Sequence, residues 1–279
     1  MPAHDIIAAY DATEEAADGL ALAQLLCERL GRELVVARVI ADGRTEVTDR
    51  HEQRAIRETI AETRRALVAA LPEAASAELT PVVDGSMARG LHALAAAEDA
   101  EALVVGSSHH HGLGRLLLGG GPELVADGAP CPVFVAPPGF RSHAVLDPEV
   151  VAIAFDGTPA AETALRYGAE LAVRLGTAMR IVTVQPPWYE RPAGAPHDLL
   201  AVQAAGRTLA ERLAKGQVRV DVVERRGDPA DQLAAETRGE AGLLVVGSRR
   251  HGALRRVLLG SVSAAVLRAA AGPVVVATA

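Results

Sequence analysis

The chain has 279 residues, about twice the length of an ordinary domain, so we expect two domains. Its 28 basic residues include a single lysine, Lys215, which lies in none of the motifs where P-loop proteins, kinases and pyridoxal-phosphate enzymes place theirs. The net charge of −7 predicts repulsion from nucleic acids and anionic membranes, and two cysteines are too few for a disulfide scaffold or a thiolate metal site.

The first half of the chain predicts alternating strands and helices. Short apolar runs at residues 6–9, 103–105 and 133–135 are separated by amphipathic stretches, one at residues 14–30 and a longer one at about residues 49–71. Runs that are apolar throughout are typical of strands buried on both faces. Helices between such strands form β-α-β units, which predicts a parallel sheet.

The second half follows the same pattern. A helix is predicted at residues 160–175, because Leu165, Ala169 and Ala172 can share one face and Gly176 provides a stop. Strands are predicted at residues 150–155, 179–184, 218–223, 243–246 and 274–277.

The two halves are copies of one another. Residues 6–13 match residues 151–158, and later segments match at a similar offset near 140. Such a period is far too long for a solenoid, so each copy should be a domain with its own core. We expect domains at residues 1–140 and 147–279, joined by a Pro- and Gly-containing linker at 137–143, each an α/β domain with five parallel strands and helices on both faces.

Two polar segments of the second copy follow predicted strands. Asp156, Gly157 and Thr158 come after its first strand, and residues 247–252 come after its fourth, ahead of a helix start at residues 260–263. In an open parallel sheet, ligands bind outside the carboxyl ends of the strands where the strand order reverses. If the first and fourth strands are neighbours, the two segments share one crevice.

The residues of this crevice suit a nucleotide. The Asp156 carboxylate could accept hydrogen bonds from a base amino group or a ribose hydroxyl, while backbone N–H groups after Gly247 and at the helix start could hold phosphates. Each piece also has a structural interpretation, as a turn, a helix cap or a solvated surface, and only their combination favours a nucleotide. Cationic partners for phosphate could come from Arg249, Arg250, Arg255 and Arg256.

Over nearly its whole length, the chain resembles a tandem universal stress protein. The resemblance rests on the Asp-Gly-Thr-Pro opening at residues 156–159, the segment at 247–263 and the closing strand at 272–276. ATP-binding members of that family have a motif similar to G-x-x-G-x(9)-G-[ST]. Its positions fall here on Gly247, Arg250, Gly260 and Ser261. An arginine therefore replaces the second glycine, where it could swing out, bind the triphosphate or fill the site.

The resemblance implies a Rossmann-like fold with strand order 3-2-1-4-5 in each domain, and ATP or another adenine nucleotide as the ligand, alone or with Mg²⁺. It also implies that Asp156 contacts adenine or ribose, that Val184 contacts adenine and that Gly227 lies beside the ribose. The residues expected at the second-copy site are Asp156, Gly157, Thr158, Val184, Gly227, Gly247, Arg249, Arg250, Gly252, Gly260, Ser261, Val262 and Ser263.

The first copy departs further from the family pattern, so we expect its site to be weaker or empty. His109 stands at the second glycine position, and Gly120 replaces the hydroxyl residue. Residues 109–111 are three successive histidines, which suit a solvated loop, or an anion loop that charges as pH falls, better than a metal site. The corresponding first-copy residues are Asp11, Thr13, Val39, Gly106, His109, Gly119 and Gly120.

The leading hypothesis is a cytoplasmic stress-response protein that binds an adenine nucleotide in at least its second domain and acts as a ligand-dependent regulator. The cytoplasm is expected because no apolar run approaches a membrane span and the first residues lack a cationic signal region. The alternative is a scaffold without a ligand, in which the fifth strands of the two repeats pair or a homodimer forms. A slow ATPase is the third option, which we disfavour because no nucleophile–base set or carboxylate pair is recognisable.

Overall fold

Strands and helices alternate along both halves of the chain. The structure, a computed structural model, describes residues 5–40, 50–107, 121–143, 146, 148–187, 199–238, 242–251 and 256–278. The chain divides into two units, Met1–Val145 and Leu146–Ala279. None of the described helices combines the length and the apolar character that a membrane span requires.

The first unit is an open parallel sheet flanked by helices. Its strands are β1 (Ile6–Ala9), β2 (Leu34–Ile40), β3 (Glu78–Val83), β4 (Ala102–Gly106) and β5 (Val133–Ala136). Its helices are α1 (Glu14–Leu30), α2 (Arg50–Ala70), α3 (Met87–Ala97) and α4 (Pro122–Ala126), with 3-10 turns at Pro72–Ser76 and Phe140–His143. The described strands lie in the order β3-β2-β1-β4-β5, as predicted.

The second unit repeats this sheet. Its strands are β6 (Val150–Ala154), β7 (Ala178–Gln185), β8 (Val220–Arg226), β9 (Leu243–Gly247), β10 (Arg249–His251), β11 (Arg256–Leu258) and β12 (Val274–Ala277). Its helices are α5 (Pro159–Leu175), α6 (Leu199–Ala214), α7 (Pro229–Glu236) and α8 (Ser261–Ala269). The parallel sheet runs β12-β9-β6-β7-β8, which is the predicted order, and β10 and β11 pair separately as an antiparallel hairpin.

The first helix of each unit starts and stops at residues that the sequence marks. Thr13 and Thr158 are the N-caps of α1 and α5, and each hydroxyl oxygen accepts a hydrogen bond from a backbone N–H of the first turn at 3.3 Å. Gly31 and Gly176 end these helices with φ of 65° and 69°, a left-handed conformation that glycine adopts without steric cost. Both helices are therefore 17 residues long.

Helical glycines bring two helices close to one face of the second sheet. A Cβ on Gly168 of α5 would lie 2.6 Å from the Ile153 side chain of β6, and one on Gly206 of α6 would lie 2.8 Å from the Phe155 ring. The helices α5 and α6 pack together on this face, and α7 and α8 pack together on the other. The carboxyl edge of the sheet is left between the two helical layers.

The structure differs from the sequence prediction in two places. The segment after β9 was expected to be a loop, yet it contains the hairpin β10–β11, whose three-residue strands are too short to give a periodic signal. β8 was expected at residues 218–223 but begins at Val220 and continues through Glu224, Arg225 and Arg226. Backbone pairing with β7 continues there irrespective of side-chain polarity.

Candidate functional site

The turn after β6 presents a carboxylate at the carboxyl edge of the second sheet. Asp156 Oδ1 accepts hydrogen bonds from the Thr158 backbone N–H at 3.0 Å and from the Thr158 hydroxyl at 2.6 Å. Gly157 between them has φ of 79°, which favours glycine. Asp156 is exposed, so the second oxygen of its carboxylate, Oδ2, can accept a hydrogen bond from a ligand.

Gly247 ends β9, the strand beside β6, and it lets the helix α5 approach the strand end. A Cβ at this position would overlap the backbone carbonyl of Ala160 in the first turn of α5. Close approach of helix to strand therefore requires a glycine here, which the sequence interpretation of a phosphate site at Gly247 did not include. The contact also places the Asp156 turn next to the end of β9.

The start of α8 offers free backbone donors at the same edge. Gly260 is the N-cap of this helix and has no side chain that could make a capping bond. Ser261 is the first residue of the helix. The first N–H groups of a helix have no intrahelical acceptor, and the helix dipole makes this end attractive to anions. Ser263 is buried, and its hydroxyl donates to the Gly247 carbonyl at 2.9 Å. This bond ties the helix start to the end of β9.

The ends of β7 and β8 form the other side of the crevice. Val184 is half-buried near the end of β7. Gly227 follows β8 with φ of 135°, and its N–H donates to the Gln185 carbonyl at 3.1 Å. The Gln232 side chain fills the space beside Gly227, where a Cβ would lie 3.2 Å from its amide nitrogen.

The replaced glycine of the family pattern lies in a strand. Arg250 pairs with Val257, and Arg249 with Leu258, in the hairpin β10–β11. Extended backbone suits any residue, so the arginine causes no backbone strain there. Gly252 and Arg255, which were also predicted at this site, lie outside the described residues.

The first unit shares the turn but not the helix start. Asp11 Oδ1 accepts hydrogen bonds from the N–H and hydroxyl of Thr13, as in the second copy. The helix α4 has five residues, its N-cap is Gly121, and Pro122 at its first position has no N–H to donate. The predicted residues His109, Gly119 and Gly120 lie outside the described residues.

An ion pair occupies the end of β3 in the first unit. Asp84 stands where the second unit has Gly227, since its N–H donates to the Ile40 carbonyl at the end of β2. The Arg89 guanidinium binds its carboxylate at 2.6 Å, and hydrogen bonding from Arg89 lowers the pKa of Asp84 below its ordinary value. Val39 is half-buried at the end of β2, 3.7 Å from the Cβ position of Gly90.

Sequence reasoning missed a charged cluster beneath the crevice. Glu236 of α7 is buried and binds Arg225 of β8 at 2.7 Å and Arg180 of β7 at 3.4 Å. No local pattern pairs residues that lie up to 56 positions apart. The one signal of this cluster in the sequence was a glutamate at a helix position that should face the sheet, because a buried glutamate needs a charged partner. Among the described residues, no group of three or more His, Cys, Asp or Glu could hold a metal ion.

Comparison with known proteins gives one consistent result. The model of the Universal stress protein family matches residues 3–137 and 149–278. A universal stress protein of Mycobacterium tuberculosis is 39% identical over 193 residues, which cover 64% of this chain and 62% of that protein. Another, from Mycolicibacterium smegmatis, is 33% identical over 214 residues, 71% of this chain and 67% of the relative. This chain thus covers less than two thirds of the first relative's length.

A solved structure extends the likeness to the whole chain. The crystal structure of a universal stress protein from Archaeoglobus fulgidus matches with a TM-score of 0.71 at 21% identity, over 98% of this chain and 96% of that one. At this identity the likeness concerns the fold alone.

Proposed function

Because the chain belongs to the universal stress protein family, with one match in each half, we propose that its second unit binds an adenine nucleotide and regulates a partner through that occupancy. One observation carries the proposal. The Asp156 turn, the end of β9 and the start of α8 come together at the carboxyl edge between β6 and β9, where the strand order reverses. This is where open α/β sheets bind their ligands.

The phosphates bind at the start of α8. Gly260 has no side chain to occupy the first N–H groups, and the bond from Ser263 to Gly247 fixes the direction in which they point. An anion at a helix N-terminus gains from these donors and from the dipole. The backbone of Arg250 is extended, so the arginine that replaces the second glycine introduces no backbone strain beside the phosphates.

The base and ribose lie toward β6 and β7. Asp156 Oδ2 accepts a hydrogen bond from the ligand, while Oδ1 is held by Thr158. Val184 provides an apolar wall at the end of β7. Adenine fits this pair, since it has an apolar face and an amino donor.

Occupancy is transmitted through the hairpin β10–β11. This hairpin connects Gly247, at one phosphate contact, to Gly260, at the other. A ligand that holds both ends restricts the segment between them, and a partner that binds this arginine-containing segment would respond to the change.

The test uses an N-cap substitution that keeps the helix while blocking the anion. In Gly260→Asp, the new carboxylate caps α8 and repels phosphate, so the protein should fold and lose nucleotide binding. Gly121→Asp makes the same change at the N-cap of α4 and should leave binding unaltered. Thermal unfolding with and without millimolar ATP, in the presence and absence of Mg²⁺, measures the result. If ATP does not stabilise the unsubstituted protein, and no nucleotide is extracted from it, the proposal is wrong.

A further inference from the structure

The strand β8 is an edge of the second sheet, and its outer side carries unused backbone groups. Among the described strands, it pairs with β7 alone, over the seven residues Val220–Arg226. At one end of this pairing, the Met179 N–H donates to the Arg219 carbonyl. At the other end, the Gly227 N–H donates to the Gln185 carbonyl. The odd-numbered residues thus bond toward β7, and because successive residues of a strand direct their N–H and C=O groups to opposite sides, the even-numbered residues point outward.

The edge strand of the first sheet has a proline at the corresponding place. Asp84, just after β3, donates its N–H to the Ile40 carbonyl of β2, so the even-numbered residues of β3 bond toward β2. Pro81 therefore faces outward, where it has no N–H to offer to a further strand. Since Asp84 corresponds to Gly227, Pro81 corresponds to Glu224, whose outward N–H is available. An edge with unpaired backbone groups is a template for strand pairing, so β8 is open to a partner strand and β3 is protected.

The partner that fits this edge is the same strand of a second copy. Two identical strands related by a two-fold axis run antiparallel, and each then offers the other the same outward groups. Hydrogen bonding requires outward residues to lie opposite one another, so the axis passes through a residue rather than between two. Val220, Val222 and Val223 are half-buried, so a strand added here also covers apolar surface.

Charge selects one register of this pairing. An axis at Asp221, Glu224 or Arg225 places a charged residue opposite its own copy, which is destabilising. An axis one residue before Val223 places Arg219 opposite Arg225. With the axis at Val223, Asp221 lies opposite Arg225 of the second copy, and no like charges face one another between residues 219 and 227.

We propose that two copies of the chain associate through antiparallel pairing of β8 with β8, about a two-fold axis at Val223. The outward residues then pair as Val220 with Arg226 and Val222 with Glu224, once on each side of the axis, and each pair exchanges two backbone hydrogen bonds. Charged side chains protect an edge against foreign strands. In this register each charge lies opposite an uncharged or oppositely charged residue, so the same pattern favours self-association.

The first experiment transfers the protecting proline to the second sheet. The outward N–H of Glu224 is not part of the ladder with β7, so Glu224→Pro should fold, while the dissociation constant of the dimer should rise about tenfold or more. Glu224→Ala removes the same carboxylate but keeps the N–H, and it should leave the dissociation constant essentially unaltered. Sedimentation equilibrium over a range of protein concentrations measures these constants, and circular dichroism checks that each variant is folded.

A cysteine at the axis tests the register. In Val223→Cys the two thiols lie opposite each other in a non-hydrogen-bonded pair with Cα atoms about 4.5 Å apart, which is within disulfide range, so a mild oxidant should cross-link the dimer. Val222→Cys lies opposite Glu224, about 7–8 Å diagonally from its own copy, and should not cross-link. The native Cys27 and Cys131 are buried and should not react.

Three results would each overturn the inference. These are an unsubstituted protein that stays monomeric up to millimolar concentration, a dimer that is unweakened in folded Glu224→Pro, and a Val223→Cys variant that does not cross-link. If Glu224→Pro unfolds, the cross-link decides alone. The inference is independent of the proposed function, because a protein that binds no nucleotide could still give every expected result here.

Discussion

At the scale of single residues, the turn after the first strand shows how the two copies have diverged. Gly157 and Ala12 occupy the same place between the turn's aspartate and threonine, with φ of 79° and 66°. An alanine in the left-handed region brings its Cβ close to the following carbonyl, at a cost of about 1 kcal/mol. The first copy has therefore kept the turn that orients Asp11 at the expense of local strain.

Two separate substitutions, each giving one residue the identity of the other, should change the free energy of unfolding in opposite directions. Ala12→Gly relieves the strain and should raise the free energy of unfolding by several tenths of a kcal/mol up to about 1 kcal/mol, less the entropy that glycine gains in the unfolded chain. Gly157→Ala introduces the strain and should lower it by about 1 kcal/mol. Urea unfolding of both variants measures the effect. A stabilised Gly157→Ala variant would contradict this account of the turn.

The two cysteines are buried, and burial sets the pH at which they ionise. Desolvation raises the pKa of Cys27 and of Cys131 to about 12, from an ordinary value of 9.0. Between about pH 9 and about pH 12, the folded state thus keeps the thiol protons that the unfolded chain loses. Their contribution to stability is complete below about pH 9 and falls as the pH rises toward 12.

Two measurements follow from this pKa difference. A thiol reagent should label neither cysteine of the native protein at neutral pH and should label both in denaturant, because the thiolate is the reactive form. The free energy of unfolding of the unsubstituted protein should fall more steeply with increasing alkaline pH than that of the Cys27→Ala, Cys131→Ala double variant. The double variant retains the other groups that titrate in this range. Equal slopes for the two proteins would show that the cysteines do not contribute.

At the scale of secondary-structure elements, the last residue of the fourth strand controls how closely the first helix packs. In both units that residue is glycine, and a Cβ would overlap a helix carbonyl, that of Glu15 for Gly106 and that of Ala160 for Gly247. The site in the second unit is built on this contact, because it brings the Asp156 turn to the end of β9. The first glycine of the family pattern is therefore needed with or without a ligand.

Gly247→Ala should accordingly destabilise the protein even when no nucleotide is present. The clashing atoms belong to the backbone of α5 and cannot move as a flexible side chain would, so we expect a loss of about 2 kcal/mol. Gly106→Ala should act similarly in the first unit. Denaturant midpoints without added ligand measure both variants, and an unaltered midpoint for Gly247→Ala would refute the packing explanation.

At the scale of the whole molecule, the sequence predicts the fold better than the site. Strands and helices follow from the apolar runs and the amphipathic stretches between them, and Gly31 and Gly176 mark helix ends by their own chemistry. The strand order was implied by the family resemblance. The cluster around Glu236 could not be foreseen, because its partners come from two strands far away in the chain. The close packing of Gly247 against Ala160 could not be foreseen for the same reason, since Ala160 lies 87 positions earlier.

The differences between the two units predict how many nucleotides one chain binds. The second unit has a nine-residue helix whose first N–H groups are free of side-chain capping bonds. The first unit has a five-residue helix whose first position is Pro122, and its third strand ends in the Asp84–Arg89 ion pair. Anion binding at a helix start needs N–H donors and an aligned dipole, and α4 is deficient in both.

Calorimetric titration of the full chain with ATP should therefore give about one site per chain, and Gly260→Asp should remove it. Gly121→Asp should leave the stoichiometry and the affinity unchanged, because α4 contributes no phosphate contact. Two sites of similar affinity would contradict this prediction, and so would a single site that survives Gly260→Asp. Two sites would mean that duplication preserved two working sites rather than one, and a single surviving site would mean that the nucleotide is held by groups other than the start of α8.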